Sequence, residues 1–191
     1  MPWKNDQVSE TETDKIIELA KHNLVVEGDY VEFGCYRGDT SLLLAEVLKS
    51  SNKRLWIYDS FEGLPEKTIS DSSELGLNFV GGALKVTKRE VKERFLRAGL
   101  PVPIIKKAWF SELKESDLPK EVSFAFLDGD FYESIKDSLR LIDSRMNQNG
   151  IIVVHDYNNP ALPGVAKAVD EWVKNKSFKM QKHESMLIIM L

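Results

Sequence analysis

Apolar positions along the chain fall into short runs separated by stretches of helical spacing. TDKIIELAKHNL, from Thr13, has the amphipathic spacing of a helix, and YVEFG at 30–34 is a compact apolar run that predicts a first strand. TSLLLAEVLKS predicts a helix and RLWIYD a strand ending at Asp59. TKREVKERFLRAGL places Val91, Phe95 and Leu96 on one helical face, with Gly99 as its C-terminal stop. PVPIIKK and VSFAFLD predict third and fourth strands. The helix expected next, YESIKDSLRLIDSRM, carries Ile135, Leu139, Ile142 and Met146 on one face and is closed by Asn149 and Gly150. IIVVHD, PGVAKAVDEWVKN and FKMQKHESMLIIML predict a fifth strand, a helix and two final strands joined by a tight turn. Strand and helix alternate until that hairpin. The order implies an α/β fold: a mostly parallel seven-stranded sheet, helices on both faces, right-handed crossovers and an antiparallel last strand.

One stretch breaks the pattern. Residues 61–84, FEGLPEKTISDSSELGLNFVGGAL, are rich in Ser, Gly and acids without a clear period. A loop of that length in a compact domain is usually functional or disordered, and a lid over a bound ligand is the functional reading, with simple disorder as the alternative.

Composition adds bounds. The 191 residues, 42% hydrophobic and 29% charged, fit a single globular domain over 1–191 with an N-terminal helical segment over 1–28. A net charge of -4 with acids and bases interspersed speaks against nucleic acid or an anionic membrane as partner. Cys35 has no internal disulfide partner, and MPWKNDQVSE has neither a basic nor an apolar leader region, so a reducing cytoplasm is expected. No apolar run approaches the roughly 20 residues that span a bilayer.

In open α/β sheets ligands bind beyond the carboxyl ends of the strands. Those ends are Glu32 to Gly38, Asp59 to Phe61, Ala108 to Phe110, Asp128 to Asp130 and His155 to Asn158, an unusually acidic set. In VEFGCYRGDTS, Gly34 and Gly38 form a strand-to-helix turn whose missing side chains let a ligand approach the backbone. Asp59, 21 positions after Gly38, stands where an acid accepts hydrogen bonds from ribose hydroxyls. The G-x-x-x-G spacing puts Tyr36 where a dinucleotide fingerprint has its second glycine, which disfavours NAD. Glu32 repels a diphosphate and attracts an ammonium group, which S-adenosylmethionine carries. A plain turn with Glu32 and Asp59 solvated is the alternative for these residues. Cys35 has no paired base and is read as packing or lining.

Asp128 and Asp156 end successive strands, and side by side they are costly unless a divalent cation neutralises them. His155 faces either the core or the same ion. Two oxygen ligands suit Mg²⁺, whereas a coordinated imidazole favours Mn²⁺, Fe²⁺ or Zn²⁺. Helix capping by Asp128 and turn closure by Asp156 are the alternatives. Asp130 is the candidate base for an acceptor hydroxyl, whose methylation needs a Lewis acid to hold the developing alkoxide and a base to take its proton.

VEFGCYRGDTS, LWIYDSFEGLPE, AWFSELKESDLP, FLDGDFYESIKDSL and VVHDYNNPALPGVAKAVDEW, in that order, resemble the macrocin O-methyltransferase family, which includes novobiocin-type sugar O-methyltransferases. The resemblance runs from about residue 28 to the C-terminus. It implies a Rossmann-like class I S-adenosylmethionine-dependent fold that methylates a sugar hydroxyl with help from Mg²⁺. Carried over by position, it places Glu32, Gly34, Tyr36, Arg37, Gly38 and Ser41 around the methionine part, Asp59 at the ribose, and Ser60, Phe61, Trp109 and Phe110 beside the adenosine. It makes Asp128 and Asp156 metal ligands, with Asp128 also on the cofactor side and in catalysis, and Asp130 the general base. His155 stands where the family often has an acid, and Ala108 where a glycine is common. Family members also carry a longer N-terminal segment than the roughly 30 residues before this first strand.

The expected activity is methyl transfer from S-adenosylmethionine to a hydroxyl of a sugar, sugar-containing natural product or glycoconjugate. A phenol or catechol acceptor is the alternative, and a non-catalytic nucleoside-binding protein a third reading that Asp128, Asp130 and Asp156 speak against. A homodimer is expected, with Trp3 or the helix from Thr13 docking on a second subunit and completing the site.

Overall fold

The computed structural model describes residues 7–191. Seven strands form one sheet: β1 (Asp29–Phe33), β2 (Leu55–Asp59), β3 (Ile104–Lys107), β4 (Val122–Leu127), β5 (Met146–Val154), β6 (Lys179–His183) and β7 (Met186–Met190). Their spatial order is β3-β2-β1-β4-β5-β7-β6. β7 alone runs antiparallel to its neighbours β5 and β6. Five helices accompany them: α1 (Glu10–His22), α2 (Asp39–Leu48), α3 (Lys88–Ala98), α4 (Tyr132–Ile142) and α5 (Pro163–Val173). No helix among the described residues is long and apolar enough to cross a membrane.

The sheet separates two apolar layers because successive strand residues point to opposite faces. Tyr30, Phe124, Phe126 and Val153 join Ile16, Leu42, Leu44 and Phe95 of the helices on one side. Val31, Phe33, Ala125, Leu127 and Val154 join Ile135, Leu139, Val165 and Val169 on the other. All six residues of β4 are buried, which is why its sequence is apolar rather than alternating, apart from Ser123, whose hydroxyl donates to the Gly28 carbonyl (2.9 Å).

α1 starts earlier than its apolar spacing indicates. Ser9 and Glu12 form a reciprocal capping box, so the helix begins at Glu10 and not Thr13. Its buried face, Ile16, Ile17 and Ala20, is spent within its own chain. Trp3, the other residue expected at a subunit contact, lies outside the described residues. Gly99 caps α3 with φ 66°, as its position predicts.

One boundary differs from expectation. α4 stops at Ile142, and Met146 opens β5 instead of extending the helix. Val122 donates to the Arg145 carbonyl and pairs with Met146, and β5 then slips register before Ile151 meets Phe124. Asn149 (φ 64°) and Gly150 belong to that irregular strand. The pairing energy of the sheet outweighs the helical spacing that Met146 shares with Ile135.

The segment 61–84 holds a single 3-10 turn, Ile69–Asp71. Asp71 is fully buried and accepts hydrogen bonds from Thr68 N–H (2.9 Å), Thr68 Oγ1 (2.7 Å) and Tyr132 N–H (2.7 Å) at the start of α4. Ser73 Oγ donates to the Pro160 carbonyl (2.9 Å), Lys107 Nζ to Glu62 Oε1 (2.6 Å) and Lys167 Nζ to Ser70 Oγ (2.8 Å), so the segment is tied to the rest of the domain at several points.

Candidate active site

Register brings the strand ends together. Phe33 pairs with both Tyr58 and Leu127, and Leu127 with Val154. The ladder continues one step, with Gly34 N–H donating to Tyr58 O (2.9 Å), Asp128 N–H to Phe33 O (2.8 Å) and His155 N–H to Leu127 O (2.9 Å). Gly34, Asp59, Asp128 and His155 therefore stand along one edge of the sheet, at the switch between β1 and β4.

A cleft opens there. Of the residues expected to act, Glu32, Gly34, Tyr36, Arg37, Asp59, Ser60, Trp109, Phe110, Asp128, Asp130, His155 and Asp156 line it. Gly38, Ser41 and Phe61 stand behind its wall: Gly38 is the N-cap of α2, Ser41 is fully buried on α2, and Phe61 packs into the core. Sequence reasoning missed Gln7, Val8, Leu64, Pro65, Phe79 and Leu84, which also line the cleft. The last four sit in the aperiodic 61–84 segment, where spacing carries no signal.

The turns are strained where they face the cleft. A Cβ on Gly34 (φ 86°) would lie 2.0 Å from the Asp128 carbonyl oxygen, so the close approach of β1 and β4 excludes every other residue. Tyr36, Phe61, Asp130 and Asp156 all have positive φ without being glycine, at 43°, 55°, 60° and 59°. Each costs on the order of 1 kcal/mol or more, and such strain concentrates at functional sites.

Asp59 braces these turns. Its Oδ2 accepts from Cys35 N–H (2.9 Å) and Tyr36 N–H (3.3 Å), and its Oδ1 from Phe61 N–H (2.7 Å). Burial and the charges of Asp59 and Glu32 push the Cys35 thiol well up, which fits a lining residue and not a nucleophile.

Electrostatics divide the cleft in two. Glu32 is 1% exposed, and its Oε2 has no hydrogen-bond partner among the described residues. Burial, reinforced by the charges of Asp128, Asp59 and Asp39 and opposed by the nearby Ser41 hydroxyl, pushes its carboxyl up to about 8. An unpartnered buried carboxylate facing a cleft fits the ammonium of an amino-acid ligand. The other half gathers Asp128, His155 and Asp156, whose donor atoms all lie within 4.8 Å of one another. His155 Nδ1 is 3.1 Å from Asp128 Oδ1 and 2.9 Å from Asp156 Oδ2. Two carboxylate oxygens and an imidazole nitrogen converging on one point suit a divalent cation. Burial would lower the His155 pKa, but the carboxylates of Asp128, Asp156 and Glu12 outweigh it and push it well above its ordinary value. Burial, with the charges of Asp128 and Asp156, likewise holds the Asp130 carboxyl well above the usual range.

Glu12 is the residue here that the strand-end reading could not find. It reaches in from α1, is 4% exposed, and places Oε2 3.7 Å from His155 Nε2. The capping box it forms with Ser9 signals a helix start in the sequence, and nothing local signals the contact with His155.

The family model for Macrocin-O-methyltransferase (TylF) matches residues 11–184. The chain is 32% identical over 140 residues to the 8-demethyl-8-(2,3-dimethoxy-alpha-L-rhamnosyl)-tetracenomycin-C 4'-O-methyltransferase of Streptomyces olivaceus, covering 69% of this chain and 54% of that protein. It is 28% identical over 155 residues to the demethyldecarbamoylnovobiocin O-methyltransferase of Streptomyces niveus, covering 77% and 58%. The chain thus spans a little over half the length of these curated relatives. Among solved structures, the O-methyltransferase NovP superposes with a TM-score of 0.82 at 22% identity, over 94% of this chain and 79% of that one. The calicheamicin methyltransferase CalS11 superposes at 0.78 and 18% identity, over 94% and 78%. These two likenesses establish the fold.

Proposed function

The chain belongs to the macrocin O-methyltransferase family, and from that membership we propose that it is an S-adenosylmethionine-dependent O-methyltransferase acting on a hydroxyl of a sugar or sugar-containing small molecule. The observation that carries the reading is the pairing, in one cleft, of an unpartnered buried Glu32 with the Asp128, His155 and Asp156 cluster. The names of both curated relatives, a rhamnosyl 4'-O-methyltransferase and a novobiocin-type O-methyltransferase, support the acceptor class.

S-adenosylmethionine supplies an activated methyl group, and a divalent cation, Mg²⁺ by the family resemblance, supplies Lewis acidity at the acceptor oxygen. Glu32 holds the ammonium end of the cofactor, and the Gly34 turn lets its chain pass close to the backbone. Asp59 stands at the ribose while bracing the turn beneath it, and Trp109 and Phe110 form the apolar wall for the adenine. Asp128, His155 and Asp156 hold the cation. Asp130 accepts the acceptor hydroxyl's proton; burial and the charges of Asp128 and Asp156 raise its carboxyl, and positive charge beside those two residues lowers it toward the ionised form that the task needs. The 61–84 segment contributes Leu64, Phe79 and Leu84 as a cover that excludes water.

Calorimetric titration with S-adenosylhomocysteine tests the cofactor half. Micromolar binding that weakens at least about 10-fold in Glu32→Gln is expected, one unit of log affinity being 1.4 kcal/mol. Absence of binding to the wild-type protein would sink the reading. Acceptor trials with free sugars, sugar glycosides and catechols, each with and without Mg²⁺, then test the acceptor class. Turnover confined to catechols overturns the sugar assignment.

A further inference from the structure

We infer that Glu12 is a positioning residue for the metal centre: it holds the distal nitrogen of His155, so that Nδ1 faces the point between Asp128 and Asp156 and the site favours a nitrogen-accepting cation such as Mn²⁺ over Mg²⁺. This rests on the methyltransferase reading only for the presence of a cation in the cleft.

Three observations meet. His155 is 6% exposed, and its two ring nitrogens face opposite ways. Nδ1 looks at Asp128 Oδ1 (3.1 Å) and Asp156 Oδ2 (2.9 Å), while Nε2 looks at Glu12 Oε2 (3.7 Å). Glu12 itself is not free to swing away. Its Oε1 accepts from Ser185 N–H (3.0 Å) and Ser185 Oγ (2.5 Å), and its Oε2 from Ser9 N–H (3.2 Å). Ser185 lies in the turn between β6 and β7, and Glu184 beside it accepts from Ser9 Oγ (2.6 Å) and from Thr11 Oγ1. The start of α1 is therefore clamped to the β6–β7 turn, and that clamp delivers a buried carboxylate to the back of the imidazole.

A histidine that ligates through one nitrogen donates the other N–H to a fixed acceptor, commonly a carboxylate, which sets the tautomer and ring orientation. Glu12 is placed to serve as that acceptor from outside the strand ends, its Oε2 at ion-pair distance (3.7 Å) from Nε2. Mg²⁺ prefers oxygen ligands, whereas Mn²⁺ and the later divalent metals accept imidazole. His155 contributes a nitrogen to a set otherwise made of two carboxylates, so the Glu12 and His155 pair shifts this chain's site away from Mg²⁺.

The test titrates Mn²⁺ and Mg²⁺ calorimetrically into the wild-type protein, Glu12→Ala, Glu12→Gln, His155→Asp and the His155→Asp/Glu12→Gln double variant. Glu12→Ala is expected to weaken Mn²⁺ binding about 10- to 100-fold. Glu12→Gln should weaken it less, because the amide oxygen still accepts an N–H. His155→Asp should narrow the preference for Mn²⁺ over Mg²⁺ and remove the sensitivity to Glu12→Gln. Nitrogen NMR of the Zn²⁺-loaded wild-type protein should show Nε2 protonated and Nδ1 coordinated. Unchanged Mn²⁺ affinity in Glu12→Gln and Glu12→Ala, or coordination through Nε2, overturns the inference. If Glu12→Ala does not fold, the cycle between Glu12→Gln and His155→Asp measures the same coupling, and no coupling there overturns it as well. S-adenosylhomocysteine affinity, measured alongside, separates the two readings. Its absence in the wild-type protein removes the methyltransferase assignment, whereas intact cofactor binding with metal affinity indifferent to Glu12 removes only the positioning role.

Discussion

At the scale of single residues, Glu32 makes the sharpest prediction. Its carboxyl titrates near about 8 in the free protein because it is buried among other acids. A ligand ammonium stabilises the ionised form, so S-adenosylhomocysteine should bind more tightly as pH rises from 6 toward 8. Binding near pH 7 should release a proton, seen as a dependence of the calorimetric enthalpy on buffer ionisation heat. The same shift bears on stability. An acid whose folded pKa exceeds its unfolded value of 4.5 stabilises the fold most below that value, and this contribution is lost as pH rises through about 8. Denaturant midpoints of Glu32→Gln should accordingly fall less between pH 6 and 8 than those of the wild-type protein. Gly34 predicts a different failure. Gly34→Ala drives a Cβ into the Asp128 carbonyl at positive φ, and a loss of about 3 kcal/mol or more is expected. Thermal melting checks it, and a melting temperature within a degree of wild type would contradict the close approach of the two strands.

Among the elements, the 61–84 segment depends on Asp71. That carboxylate gathers Thr68 and the first N–H of α4, so it joins the cleft's cover to a helix start. Asp71→Ala leaves these donors unpaired in a buried setting and should cost about 2 kcal/mol. The effect should be local, with faster amide hydrogen exchange across 61–84 and weaker S-adenosylhomocysteine binding, while exchange in β4 stays slow. Exchange unchanged in 61–84 would show that other contacts hold the segment. The early end of α4 has a long-range cause. Met146 shares helical spacing with Ile135 and Ile142, but Val122 claims it for the sheet, and that partner is more than 20 positions away in the chain.

For the whole molecule, the 61–84 segment also exposes Ile69, Leu75, Leu77 and Val80, at 94%, 70%, 74% and 55%. Exposed apolar surface of that extent on one loop is what the homodimer expected from the sequence would bury. Sedimentation velocity from low to high micromolar concentration should show a dimer that Leu75→Lys and Leu77→Lys weaken, and a monomer throughout would remove that expectation. The order of elements, the alternating layers and the acidic strand ends were legible in the chain, because parallel strands buried on both faces must be apolar runs and helices on a core must repeat near 3.6 residues. VSFAFLD could be little else, and the residues after it had to emerge at an edge. Glu12, Gln7 and Val8 were not legible as site residues, since nothing in local spacing tells which distant surface a helix start will meet. Likewise Gly38 and Phe61 sit in the turns that spacing identified and Ser41 on the helix that follows one, yet only the packing of α2 and the core decides that they stand behind the cleft wall. Local sequence, through period and turn chemistry, determined which elements form and which end of the sheet is polar. Tertiary structure alone decided which groups share the cleft, because strand register and the clamp of α1 on the β6–β7 turn join residues more than 100 positions apart.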